Sequence, residues 1–398
     1  MRMLRMRSKP GYLTQVKQSN MSAVLKSIWE FEPISRVELV ERTDLTSGTL
    51  TNLTQDMIRG GIIRESESSH GSVGRKRMLL RLDTENYRII GIDIGRNAFE
   101  VVLTDLAGRV IAASEGSTAG MDNPDSILDL ITPSVQKMKA LSSDSGNKLL
   151  GIGVSIPGPM DMQQGILLDP PNFPGWEQYP VRAELEKRME ATVLINDDAR
   201  SSAFAERWFG LGRTTSHLVH ITMGIGIGGG VVMNGEMLYG ANGLYGQIGH
   251  ITVVHNGEPC ACGNLGCWET VGSIPGIMRN WTDGHGKTIM NFFEAVQRND
   301  REAARTLEYT LSILTDALTN LFNVYDPDVI VMGGKLYPYL SRYMPEIRKR
   351  VQSRVYPFVR ERVRIEASTF GTSQSAVGAA ALIFDRLMRE PLDMIGLS

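Results

Sequence analysis

Residues 246–269 read GQIGHITVVHNGEPCACGNLGCWE and contain all three cysteines of a 398-residue chain. Disulfide-built proteins are short and carry cysteines in even numbers, so an odd cluster in a long chain points to reduced thiols and a cytoplasmic setting. The spacing His250-x9-Cys260-x-Cys262-x4-Cys267 supplies three thiolates and an imidazole, the donor set of a tetrahedral structural zinc. His255 lies nearer the cysteines and competes with His250 for the fourth position; spacing does not separate them.

Outward from this loop, 42% hydrophobic residues and a net charge of -2 describe a soluble protein of two or three domains. No run of about 18 apolar residues appears, and the basic N-terminus MRMLRMRSKP lacks the apolar segment of a signal peptide. Charge is unevenly divided. Residues 1–82 carry 14 Lys+Arg against 8 Asp+Glu, and the rest 28 against 36. A basic segment on an acidic body points to a polyanion met by that segment alone.

The pattern within the basic segment agrees. Met21, Val24, Leu25 and Ile28 form one apolar helical face. Ser35-Arg36-Val37-Glu38 is a capping box opening a second helix to about Thr43. Thr46 can cap a third, with Leu50, Leu53 and Met57 inward, Ser47, Thr49, Thr51, Asn52 and Gln55 outward, and Gly60-Gly61 at its end. Small polar residues on an outer face suit a recognition helix in the DNA major groove. Residues 62–65 and 78–82 then read as a β-hairpin whose tip carries Arg75, Lys76 and Arg77, a wing able to meet phosphate or the minor groove. The expected module is a winged helix-turn-helix over residues 1–84, its partner double-stranded operator DNA.

Beyond residue 85 the texture is α/β. Strands are expected at Arg88–Ile94, Phe99–Thr104, Gly151–Ile156 and Val193–Ile195, the last delivering Asn196 and Asp197 to a strand end, where α/β folds bind ligands. A second half begins at His217–Thr222 and runs into Met223-Gly224-Ile225-Gly226-Ile227-Gly228-Gly229-Gly230. Glycines there suit either a phosphate nest or a glycine-rich hairpin.

Gly249-His250 with the cysteine cluster, Pro157-Gly158-Pro159, Pro171 to Trp176, Asn196-Asp197, Gly226 to Gly230 and Asp326-Pro327-Asp328 before Gly333-Gly334 together resemble the ROK family of repressors and sugar kinases. Within it the chain is similar to the xylose and N-acetylglucosamine repressors along nearly its whole length. The resemblance implies an actin/hexokinase-like fold of two lobes with a sugar in the cleft: a small lobe over 85–200 completed by a C-terminal helix at 376–398, and a larger lobe over 201–375 with the zinc and an oligomerisation surface. It implies sugar contacts at Gly158, Asn172, Asn196, Asp197, Gln247, His250 and Glu269, zinc on His250, Cys260, Cys262 and Cys267, and a homodimer.

Two departures bear on function. The family kinases carry an Asp-x-Gly-Gly-Thr-like phosphate loop, where this chain has Asp93-Ile94-Gly95 followed by Arg96, and the threonine of the second glycine-rich loop is Ile225. Both remove phosphate contacts, so the expectation is a sugar-controlled regulator without catalytic residues. A third lies at Gln247, which stands where the family has a glutamate and either retunes which sugar fits or marks a pocket that no longer binds one. The competing readings are a sugar kinase with a DNA-binding head and a repressor whose cleft is vestigial and whose control comes from a protein partner.

Overall fold

The computed structural model describes residues 12–67, 78–170, 173–284 and 286–396. Helix α1 (Tyr12–Phe31) buries Met21, Val24, Leu25, Ile28 and Trp29. A two-residue strand, β1 (Ile34–Ser35), leads into α2 (Arg36–Thr43), where Ser35 Oγ accepts from the Glu38 N–H and Glu38 accepts from the Ser35 N–H at 2.9 Å. Thr46 caps α3 (Ser47–Gly60), and Gly61 ends it at φ 75°, a left-handed conformation that costs glycine little. Strands β2 (Ile63–Glu67) and β3 (Met78–Leu82) pair antiparallel, and β1 adds to β3 as a third strand. Two residues are too few for alternation to announce a strand, so β1 was invisible to periodicity.

The body repeats one plan twice. Strands β4 (Tyr87–Ile94), β5 (Ala98–Thr104) and β6 (Val110–Ser117) form an antiparallel meander, followed by α4 (Pro124–Asp144) and β7 (Lys148–Ser155), which pairs parallel to β4. A small hairpin, β8 (Met160–Asp161) and β9 (Ile166–Leu167), precedes α5 (Val181–Met189) and β10 (Val193–Asn196), parallel to β7. After α6 (Asp198–Phe209), the second meander is β11 (Leu218–Met223), β12 (Ile227–Met233) and β13 (Glu236–Met237). Helices α7 (Trp268–Gly272), α8 (Ile274–Asn280), α9 (Ile289–Gln297) and α10 (Arg301–Tyr325) lead to β14 (Val329–Gly333), parallel to β11; α11 (Tyr337–Leu340) and α12 (Met344–Arg354) lead to β15 (Ile365–Ala367), parallel to β14. The sheets run β10-β7-β4-β5-β6 and β15-β14-β11-β12-β13, the same order in each lobe.

Each lobe lends its closing helix to the other. Helix α6 follows the first sheet but packs on β11 and β12; α13 (Gln374–Arg389), after the second sheet, packs on β4 and β7, with α14 (Pro391–Ile395) at the end. Glycines make room for both. A Cβ on Gly228 or Gly230 would lie 2.7 Å from Ala199 or 2.4 Å from Ala203 of α6, and one on Gly91 or Gly153 would lie 2.0 or 1.8 Å from carbonyls of α13. The boundary expected at residue 200 therefore falls inside α6, which packs as part of the second lobe.

The head is seated on this crossing. Trp29 of α1 meets Trp208 of α6 edge to face at 4.9 Å, and Trp208 meets Phe384 of α13 at 5.4 Å. Such pairs contribute about 0.5–1.5 kcal/mol each beyond simple burial. Ser22 donates to the Met388 carbonyl at 2.6 Å, and Arg207 and Arg213 stand over the Trp29 ring. One apolar core runs continuously from α1–α3 into the lobe junction.

Candidate functional site

In the head, α2 and α3 are locked by Arg36, which donates to Thr54 at 3.0 Å and pairs with Glu65 of β2 at 2.7 Å. On the outer face of α3, Ser47, Asn52 and Gln55 are exposed, whereas Thr49 and Thr51 are half-buried. Thr51 donates to the Ser47 carbonyl at 2.8 Å and Thr49 shares a hydrogen bond with the cap Thr46, so their hydroxyls serve their own helix in this structure. Arg75, Lys76 and Arg77 lie outside the described residues.

In the cysteine loop, His250, Cys260, Cys262 and Cys267 bring one ligand atom each within 4.8 Å of one another. Cys260 Sγ is 3.5 Å from His250 Nδ1 and Cys262 Sγ 3.7 Å from Cys267 Sγ. A tetrahedral zinc with bonds of about 2.3 Å to sulfur has edges of roughly 3.8 Å, so donor set and spacing both fit that ion. His255 is exposed and lies outside this group, whereas His250 belongs to it. Burial pushes the Cys267 thiol up to about 12, reinforced by the neighbouring thiols. A cation would reverse that, since it binds thiolate. Asn264 donates to Cys267 Sγ and to the His250 carbonyl, tying the two ends of the loop together.

Equivalent hairpins follow the central strand of each sheet: Gly95-Arg96-Asn97 after β4 and Gly224-Ile225-Gly226 after β11. Each is closed by a backbone bond, Gly95 N–H to Ala98 at 2.8 Å and Gly224 N–H to Gly226 at 2.9 Å. Gly228 and Gly230 in the adjoining strand serve helix packing, so the glycine-rich hairpin reading holds for that part of the run. Glu269 accepts from the Ile227 N–H at 2.8 Å and so fixes the second hairpin to the helix that follows the cysteine loop. Gln247 is exposed on the loop before His250. Asn172 lies outside the described residues.

At the end of β10, Asn196 is fully buried; its Oδ1 accepts from the Asp197 N–H at 2.9 Å. Asp197 sits beside Gly158, where an added Cβ would lie 3.5 Å from the Asp197 Cβ. The sequence reading gives Asp197 as an acceptor for a sugar hydroxyl. Asp197 caps α6, its Oδ1 taking the Arg200 N–H at 2.9 Å, and its Oδ2 takes the Arg200 guanidinium. The neighbouring Asp198 is the carboxyl that faces the first lobe. Burial raises its pKa, Asp197 adds to this and Arg96 opposes it. Burial, with Asp198 next, pushes Asp93 at the end of β4 up to about 7, although Ser155 donates to it at 2.9 Å. Two carboxyls facing one space hold a proton near neutrality. The sequence reading missed Asp198 and the buried Arg200; the run Asn-Asp-Asp was the only signal, and it does not say which carboxylate turns inward.

A model of the ROK family matches residues 89–386. The xylose repressor of Bacillus subtilis is 26% identical over 96% of this chain and 98% of its own length. A glucokinase of Halalkalibacterium halodurans is 30% identical but covers 74% of this chain and 94% of itself. Among solved structures, a transcriptional regulator described as a homolog of the Escherichia coli MLC protein superposes with TM-score 0.81 at 25% identity, covering 96% of this chain and 99% of that one.

Proposed function

The chain belongs to the ROK family, and we propose that it is a transcriptional repressor of sugar-utilisation genes that binds operator DNA in the cytoplasm as a homodimer and is controlled by a sugar in the interlobe cleft. The observation that carries this reading is the head itself: a helix-turn-helix with a hairpin precedes the sugar-kinase-like body and shares its core. The related repressor and regulator span that head, whereas the glucokinase leaves about a quarter of the chain uncovered.

The reading is non-enzymatic. Arg96 and Ile225 stand in the two hairpins where the family kinases approach nucleotide phosphates with backbone and hydroxyl, so the fold keeps the sugar half of a kinase and loses the nucleotide half. Zinc, held by His250, Cys260, Cys262 and Cys267, supplies a structural cross-link. Cys267 immediately precedes α7, which carries Glu269, and so the clamp positions a cleft residue.

Helix α6 is the proposed connection between sugar and DNA. Its first turn, Asp198 to Arg200, lines the cleft, and its last turn holds Trp208 against Trp29 of the head. A sugar that favours one lobe arrangement would tilt α6 relative to α13 and with it the spacing of the two heads. Only a difference in affinity between arrangements is needed, and couplings of about 1–3 kcal/mol are typical. An operator gel shift at constant salt, titrated with xylose, glucose and N-acetylglucosamine, tests binding and effector together; no shift with any duplex carrying paired half-sites would sink the proposal. Arg75→Ala is expected to weaken operator binding and to lower the salt slope by about 1.

A further inference from the structure

The expectation that the head alone meets a polyanion rests on the summed charge of the body, which conceals a local reversal. Residues 342–364 carry eight Lys+Arg against two Asp+Glu, while the rest of the chain from residue 83 carries 20 against 34. The stretch covers α12, a 3-10 turn at Pro357–Arg362 and the approach to β15. Some of its cations are engaged: Arg348 donates to the Ile365 carbonyl at 2.7 Å, Arg350 pairs with Glu308 and Glu346, and Arg354 pairs with Asp316. Lys349, Arg360 and Arg362 are exposed, and their side chains have no partner among the described residues.

Composition and position set this stretch apart from an ordinary solvated face. Tyr356 and Phe358, 64% and 82% exposed, stand among these cations with ring centroids 5.7 Å apart. The backbone beneath them is fixed, because Val355 and Val363 are buried and the Tyr356 N–H donates to Asn323 of α10 at 3.0 Å. Exposed aromatic rings beside arginines on a rigid support are the composition of an interface. Strands β11, β14 and β15 are parallel, so Leu218, Val329 and Ile365 begin at one end of the sheet. That end carries the head: Leu218 and Val329 share the core of α1–α3, and Arg213, in the turn before β11, donates to the Trp29 carbonyl at 3.2 Å. With β15 two strands from β11, roughly 10 Å at ordinary strand spacing, the cations at 360–364 border the end of the body on which the head sits.

We propose, resting on the reading of the head as a DNA-binding module, that this face is a second contact to the same duplex. Lys349, Arg360 and Arg362 take backbone phosphates beyond the base pairs met by α3, and Phe358 packs against the sugars between them. Unpaired cations on an acidic body are matched by a polyanion, and DNA is the polyanion that the head brings to this end. A second copy of the chain is a poorer match, because a two-fold axis through the patch would set its cations against themselves. The contact adds affinity and fixes register without reading sequence, which is left to the head.

The test is fluorescence anisotropy on the full-length protein with a labelled mixed-sequence duplex of about 60 base pairs, titrated between about 50 and about 200 mM salt. Each phosphate contact contributes about 0.9 to the slope of log K against log salt, so the triple variant Lys349→Gln, Arg360→Gln, Arg362→Gln should flatten the slope by about 2 to 3 and weaken binding about 10- to 100-fold. Phe358→Ala should weaken binding at an unchanged slope, since an apolar contact releases no counterions. A control that removes three exposed cations elsewhere, Lys137→Gln, Lys187→Gln and Arg305→Gln, should leave the slope as it is. Every substituted residue is exposed, so the fold is not at stake. A triple variant with the wild-type slope overturns the inference, gives the face to an acidic protein partner and leaves DNA binding by the head standing. Equal flattening by the control overturns it as well, because net charge would then be the cause. Wild-type protein that binds no duplex overturns the reading of the head, and the inference with it.

Discussion

The two lobes share a strand order and differ in what fills it. In the first, Gly91 and Gly153 admit α13; in the second, Gly228 and Gly230 admit α6, so both sheets are thinned where a helix from the other lobe crosses. At the cleft ends they diverge. Two residues before the hairpin glycine the first lobe has Asp93 and the second Thr222, and the second alone carries the cysteine loop and a buried imidazole at His220. Packing is symmetric and chemistry is not: the two sheets admit their helices in the same way, and the residues at their strand ends differ.

The comparison is broken most severely at the helix crossings. Gly153→Ala places its Cβ 1.8 Å from a carbonyl of α13, a rigid backbone neighbour, and is expected to cost about 3 kcal/mol or more; Gly230→Ala meets the Ala203 Cβ at 2.4 Å and should cost about 1–2 kcal/mol. Urea midpoints of the two variants measure this directly, and equal losses would show that the lobes grip their helices alike.

Metal removal should act on the second lobe. At a hundred times its Kd a bound ion stabilises by about 2.7 kcal/mol, and chelation should lower the melting temperature correspondingly. Hydrogen exchange should then rise around residues 248–272 before it rises in β4–β7. Uniform loosening of both lobes would argue that the clamp is not local.

The lobes should also respond to pH in opposite senses. Asp93 is about 7 when folded and near 3.8 when unfolded, so it holds its proton more tightly in the native state, and its stabilising effect is lost as pH rises from about 4 to 7. His220 is pushed down to about 3 by burial against 6.5 unfolded, so the stability of keeping it neutral is lost as pH falls from about 6.5 towards 3. Asp93→Asn should flatten the first slope and His220→Gln the second, read as the change in urea midpoint with pH. The smallest expected effect is at the hairpins: purified protein should show no sugar-dependent ATP hydrolysis above background, and measurable turnover would restore the kinase reading.

Much of this was legible beforehand because it is local. The capping box at Ser35, the Thr46 cap and the left-handed Gly61 are read within four residues, and a Cys3His loop announces itself by spacing. The cleft was less legible. Asp197 and Asp198 are adjacent in the chain, and only the start of α6 decides that one caps the helix while the other faces Asp93. Gly228 and Gly230 suited either a phosphate nest or a hairpin, since nothing near them in the chain reveals that Ala199 and Ala203 press against them.

By itself, then, the sequence determined the helices and hairpin strands of the head, the alternation of strands and helices, and the grouping of His250 with the three cysteines, because capping, periodicity and residue spacing act over a few residues. Tertiary structure alone decided the exchange of α6 and α13 between lobes, the seating of Trp29 on Trp208 and the buried Arg200. Those depend on segments far apart in the chain, Trp29 and Phe384 among them, meeting in one core, and no local pattern carries that information.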